Sequence, residues 1–329
     1  MTGLRSERDA ASLLEAVRQR EPLAIARAIT AIENRTAIGT ELAVAVRGCG
    51  RACRTVGVTG PPGAGKSSLI NALMQDLLTR YARIAVITVD PSSPISGGAV
   101  LGDRVRMAAH SANPDVFIRS LATRGHLGGV TRTTRSVLDL LGAGGMELVI
   151  VETVGTGQSE VEVAELTEVK VVVCAPGLGD EMQAIKAGVL EIADLLVVNK
   201  ADLPDAARTS AHLKAMLHHR GHDERRSILS VSVVSNDGVR ALADAISGRL
   251  NDCSPQAQAA AFQPASPRAM LAVDVAEAAA ALVLDASDSR LDAIVEDVKH
   301  GNLSRHQGTR AAISVLAELA GDIQARSRS

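Results

Sequence analysis

The middle of this chain carries a series of short apolar runs rich in Val, Ile and Thr. They are TVGVT (55–59), RIAVITV (83–89), DVFIRS (115–120), ELVIVET (147–153), VKVVVCA (169–175), DLLVVNK (194–200) and SILSVSV (227–233). The runs do not alternate apolar with polar, as a strand with one wet face would. Unbroken runs mark strands buried on both faces, and helical patterns between them make the sheet mostly parallel. The fold class is therefore α/β, a mostly parallel central sheet flanked by helices. Ahead of it, Leu13, Leu14 and Val17, then Leu23, Ile25, Ala26, Ile29 and Ile32, recur at helical spacing over residues 9–50. Gly39 and the Gly48–Gly50 cluster interrupt that pattern. Behind the sheet region, residues 251–267 (NDCSPQAQAAAFQPASP) read as a Pro/Ala/Ser/Gln linker, and 268–321 as Ala-rich helix. The expected layout is a helical N-terminal extension (1–50), an α/β domain (51–250), and a linker with a helical arm (251–329).

Between the first run and a helical stretch lies GPPGAGKSS, which is Gly60, Pro61, Pro62, Gly63, Ala64, Gly65, Lys66, Ser67 and Ser68. It satisfies G-x-x-x-x-G-K-[ST] in the strand-to-helix setting that the motif requires. A glycine-rich turn aims consecutive backbone N–H groups at a phosphate, and the helix N-terminus adds its positive end. In this arrangement Lys66 neutralises β/γ-phosphate oxygens and Ser67 offers a hydroxyl to Mg²⁺.

The run DLLVVNK leads into Asn199, Lys200, Ala201 and Asp202. A carboxylate in the position of Asp202 accepts from N1–H and the 2-amino group of guanine. Adenine offers neither donor and leaves the carboxylate desolvated and unpaired, a discrimination of ~10⁴ or more. Lys200 is expected along the base and ribose. A second base-side loop is expected at the end of the last run, where Ser232, Val233 and Val234 offer backbone groups.

ELVIVETVG places Glu152 at a strand tip with Gly155 following, the layout of a D-x-x-G element with Glu in place of Asp. Gly155 offers its N–H to the γ-phosphate, and Glu152 a carboxylate to Mg²⁺ or its water. Asp90 ends another strand and Asp103 follows in LGDRVRM. Both are candidate Mg²⁺ carboxylates, with turn or N-cap duty as the alternative. The Ser/Gly/Pro-rich stretch 91–103 is suited to ordering in one nucleotide state only. Arg104, Arg106, Arg119 and Arg124 are each either an arginine finger or a salt-bridged surface residue.

Composition closes off other classes. Lys plus Arg number 35 against 37 Asp plus Glu, with one Tyr, two Phe and no Trp. There is neither the basic excess of a general nucleic-acid binder nor the aromatic platform for single strands. LVIV and VVVCA fall far short of the ~20 apolar residues of a membrane span. The N-terminus is polar and lacks a signal-peptide core, so a cytoplasmic location is expected. Cys49, Cys53, Cys174 and Cys253 include no CxxC pair. Cys49 and Cys53 are reduced thiols or, if they share a helix face, a metal pair.

Taken together, AIARAITAIENR, GVTGPPGAGKSSLINAL, VDPSSPISGGAVLGDRVRM, IRSLATRGHLGG, VETVGTGQSEVEV and APGLGDEMQAIKAGVLEIADLLVVNKADL resemble the MeaB/ArgK group of P-loop GTPases. These are accessory proteins of adenosylcobalamin-dependent acyl-CoA mutases such as methylmalonyl-CoA mutase. The resemblance implies a P-loop NTPase fold of the SIMIBI type and slow hydrolysis of GTP to GDP with Mg²⁺. It also implies a homodimer held partly by the C-terminal arm, and a chaperone role in gating cobalamin delivery and protecting or reactivating the mutase. It puts Asp90, Asp103 and Glu152 at metal and switch positions, and GDEMQAIKAG (179–188), with Gln183 and Lys186, on a further switch facing the mutase. Lys66, Glu152, Asp103 and Lys186 are thus the candidates for catalysis, and Ser67, Asp90, Asp103 and Glu152 for the metal. The alternatives are a metal-delivery GTPase and a P-loop kinase linked to arginine/ornithine transport.

Overall fold

A computed structural model describes residues 3–47, 53–90, 113–122, 129–153, 166–177, 193–219, 227–253 and 288–327, with Val275, Ala279, Leu282 and Val283. The chain divides into two compact units, Met1–Gln263 and Pro264–Ser329.

The first unit is built on a seven-stranded sheet. Its strands are β1 (Arg54–Thr59), β2 (Ile84–Asp90), β3 (Val116–Ala122), β4 (Leu148–Thr153), β5 (Val169–Cys174), β6 (Leu195–Val198) and β7 (Ser227–Ser230). The order is β3-β2-β4-β1-β5-β6-β7, and every pairing is parallel. Parallel neighbours need crossovers, and helices supply them. They are α4 (Lys66–Leu77), α5 (Gly129–Ala143) and α6 (Ala206–His219), and α7 (Val239–Asp252) follows β7. Three helices precede β1: α1 (Gly3–Arg18), α2 (Pro22–Glu33) and α3 (Ala37–Val46).

Alternation along the strands sends each apolar run to two cores. Val56, Val58, Ile84, Val86, Leu148 and Ile150 pack with Leu69, Leu73 and Leu77 of α4 and Leu242 and Ile246 of α7. Their neighbours Ala85, Ile87, Val89, Val149 and Val151 face the other way, onto Ile25, Ile29, Leu42 and Leu138 of α2, α3 and α5. The N-terminal helices therefore cover one face of the sheet. Val172, Cys174, Leu196 and Val198 form a smaller core with Ala206 and Leu213 of α6. Arg119 on the edge strand β3 anchors that strand to α2. Its Nη2 donates to Thr30 Oγ1 at 2.9 Å and to Glu33 Oε2 at 3.1 Å. Arg119 is thus a structural tie, which removes it from the arginine-finger candidates.

The second unit contains α8 (Ser289–Lys299) and α9 (Arg305–Ser327). Asp288 caps α8 by accepting from the Arg290 N–H at 2.9 Å, and Arg290 reaches Glu318 of α9 at 2.9 Å. Among the described residues, no helix is long and apolar enough to cross a membrane.

Candidate nucleotide site

β1 is the central strand, and the glycine-rich loop leaves its C-terminal end. In open parallel sheets this is the end where ligands bind. The loop passes so close to its neighbours that two positions must be glycine. Gly60 has φ +146, and a Cβ there would lie 2.0 Å from the Val173 carbonyl oxygen of β5. Gly65 has φ +85, and a Cβ there would lie 2.5 Å from Asn199 Nδ2. Lys66, the first residue of α4, curls its ammonium back under the loop, where Nζ donates to Gly60 O at 2.8 Å and Pro61 O at 3.1 Å. Pro62 and Gly63 are exposed along the outside of the turn, Ser68 is exposed in the first turn of α4, and Ala64 is buried.

Two of the residues expected at the metal lie together. Ser67 Oγ donates to Glu152 Oε1 at 2.7 Å, and both residues are buried. A hydroxyl and a carboxylate held together at the foot of a phosphate loop are hard oxygen donors, the chemistry that Mg²⁺ takes. Asp90 ends β2 in register with Ala122 of β3. Its side chain lies outside the described residues, as do Asp103, Gly155, Gln183 and Lys186.

On the base side the structure divides the labour within one loop. Asn199, 2% exposed, turns its amide onto the phosphate loop, with Nδ2 donating to Ala64 O at 2.9 Å and reaching Gly65 O at 3.4 Å. Its own N–H donates to Cys174 O at 2.8 Å. Asn199 thus braces the phosphate loop against β5 and β6. Lys200 takes a left-handed φ of +56, which turns the chain sharply after β6. Asp202 is exposed, and its Oδ1 accepts from Ser232 Oγ at 2.6 Å. Ser232 is buried and also accepts from the Ser235 N–H at 3.2 Å. The two base-side loops are stitched together by Ala201 N to Val231 O at 3.0 Å. Val233 packs on the core, whereas Val234 is 88% exposed.

Three contacts were not visible in the sequence: the Asn199 brace, the Ser232–Asp202 bond, and a bond between Thr153 Oγ1 and Thr59 Oγ1 at 2.8 Å. Cys53 precedes β1 outside any helix, because α3 ends at Val46, so it shares no helix face with Cys49. It is buried, and its thiol is pushed up to about 12 by that burial. No group of three or more His, Cys, Asp or Glu among the described residues is arranged to hold a metal.

A parallel sheet whose central strand runs through a glycine-rich G-x-x-x-x-G-K-S loop into a helix has the architecture of P-loop GTPases, and this protein is one. The family described as "Methylmalonyl Co-A mutase-associated GTPase MeaB" matches residues 25–280, and the chain belongs to that family. A Pyrococcus abyssi relative, provisionally named a GTPase, is 41% identical over 239 residues, covering 71% of this chain and 74% of that protein. GTPase ArgK of Escherichia coli is 43% identical over 202 residues, 60% of this chain and 61% of ArgK. The mouse methylmalonic aciduria type A homolog, mitochondrial, is 40% identical over 57% of this chain and 47% of its own length. Among solved structures, one described as LAO/AO transport system kinase superposes with a TM-score of 0.63 at 29% identity, covering 94% of this chain and 98% of that one.

Proposed function

We propose that the GTPase cycle of this protein is read by an adenosylcobalamin-dependent acyl-CoA mutase of the methylmalonyl-CoA type, whose cobalamin loading it gates and which it protects or reactivates. The observation that carries this reading is the family match over 25–280, whose description names the mutase. In the crevice, phosphate-loop amides and Lys66 hold the triphosphate, and Asp202, held by Ser232, reads the guanine edge. Mg²⁺, when bound, would supply positive charge to the phosphates, and Ser67 and Glu152 would hold it, with Asp90 and Asp103 as further carboxylates. Gly155 offers its N–H to the γ-phosphate. Water is the nucleophile. Gln183 and Lys186 pass the nucleotide state to the mutase, and the 251–329 arm pairs two copies of the chain.

Such a protein turns over slowly alone, far below the ~10 s⁻¹ of a typical enzyme, and faster with its partner. The test is steady-state GTP hydrolysis with and without purified methylmalonyl-CoA mutase. Stimulation of roughly tenfold or more supports the proposal. A rate that the mutase does not change, with no complex in sedimentation, contradicts it.

A further inference from the structure

Backbone pairing between β1 and β4 runs from Arg54↔Leu148 to Val58↔Glu152 and stops there. The next residue on each strand is a threonine. Thr153 Oγ1 donates to Thr59 Oγ1 at 2.8 Å, and both residues are buried. On their outer sides the two strands remain laddered at this level, β1 to β5 through Thr59↔Val172 and β4 to β2 through Val89↔Thr153. Only the central pair parts, and a side-chain bond takes over where the backbone ladder ends.

This fork lies between the two halves of the phosphate site. Thr59 is followed by Gly60, the first residue of the phosphate loop. Thr153 is preceded by Glu152, which accepts from Ser67 at 2.7 Å. Successive strand residues face opposite ways, so the threonine bond and the Glu152–Ser67 bond straddle the fork from opposite faces of the sheet. Valine has the shape of threonine and fits a strand as well. Two hydroxyls buried where Val would pack are kept by what they do for each other.

We infer that Thr59 and Thr153 are positioning residues for GTP hydrolysis. Their bond sets the width of the β1/β4 fork, and hence the distance between the phosphate loop and the Glu152 end of β4. This rests on the proposed role of Glu152 at the phosphate end. Neither threonine needs to touch the nucleotide. A widened fork leaves GTP bound and displaces the groups that act on its γ-phosphate, and displacements well under 1 Å matter for such chemistry.

The experiment uses the full chain with Thr59→Val, Thr153→Val, the double variant and Thr153→Ser. The measurements are kcat, KM for GTP, GDP affinity and melting temperature. Each Val variant is expected to lose roughly tenfold in kcat, with KM and GDP affinity within about twofold. The double variant should be no worse than the poorer single one, since both remove the same bond. Thr153→Ser keeps the hydroxyl and should stay within about threefold of the parent. Thr88→Val is the comparison. Thr88 Oγ1 also donates across strands, to Ser120 Oγ at 2.8 Å, but that ladder continues to Asp90↔Ala122. Its loss should lower the melting temperature and leave kcat within about twofold.

An unchanged kcat in Thr153→Val, an equal fall in Thr88→Val, or additive losses in the double variant would overturn the inference. Should the Val variants fail to fold, a roughly tenfold loss in Thr153→Ser overturns it as well. Glu152→Gln is measured separately. If it hydrolyses GTP at the parental rate with the same Mg²⁺ dependence, the reading of Glu152 fails, and the threonine variants report on the fork alone.

Discussion

Asn199→Ala separates two roles that one loop residue can play. The Asn199 amide donates at 2.9 Å to the carbonyl of Ala64, a residue with 0% exposure. Truncation leaves that carbonyl without this donor in a place water does not reach. A side chain–backbone bond is worth about 1 kcal/mol net, and a buried group left unpaired costs about 1–3 kcal/mol. The expected loss of stability is about 2–3 kcal/mol, roughly 4–12 °C in melting temperature for a unit of this size. Because the carbonyl belongs to the phosphate loop, every phosphate ligand should suffer. Calorimetry should find GDP and inorganic pyrophosphate weakened by similar factors, about 5–30-fold for 1–2 kcal/mol of lost loop order. If pyrophosphate bound normally while GDP was lost, and the melting temperature did not move, Asn199 would be a base ligand and not a brace.

Burial pushes the Cys53 and Cys174 thiols up to about 12. The thiolate is the reactive form, so neither should be alkylated in the native protein at pH 8, whereas unfolding should expose both. Peptide mapping that finds native Cys174 modified would contradict the packing of β5. At the start of α8, side-chain and backbone hydrogen bonds from Arg290 lower Asp288 from 3.8 to about 2. A depressed carboxylate stabilises the fold above its unfolded value, so this cap should hold above pH 3.8 and be lost as pH falls through about 2. An NMR titration should place the Asp288 midpoint near 2, and a midpoint at the ordinary value would mean that the cap does not form.

The sheet was legible because parallel strands covered on both sides must be apolar at every position. That is why LVIV and VVVC stand out. Strand limits were less legible. The run expected at 115–120 forms β3 as Val116–Ala122, since pairing with β2 continues to Asp90↔Ala122 beyond the apolar stretch. Helical spacing in 9–50 showed that one side of those helices is buried, but not against what. The answer depends on Ala85, Ile87 and Val149, far along the chain. The phosphate loop could be read residue by residue because its glycines answer local backbone demands. Asn199 could not, because its partner Ala64 is brought near only by the adjacency of β1, β5 and β6. Threonine in a strand reads as a β-former, and nothing local announces that Thr59 and Thr153 will meet.

The proposed function depends on the phosphate loop holding a triphosphate and on Asp202 accepting from donor hydrogens on the purine. Titration calorimetry of the full chain with GTP and with ATP, both with Mg²⁺, addresses it directly. GTP should bind ~10⁴-fold or more tighter than ATP, and Asp202→Asn should abolish that margin. Equal affinities for the two nucleotides, or no binding of either, would contradict it.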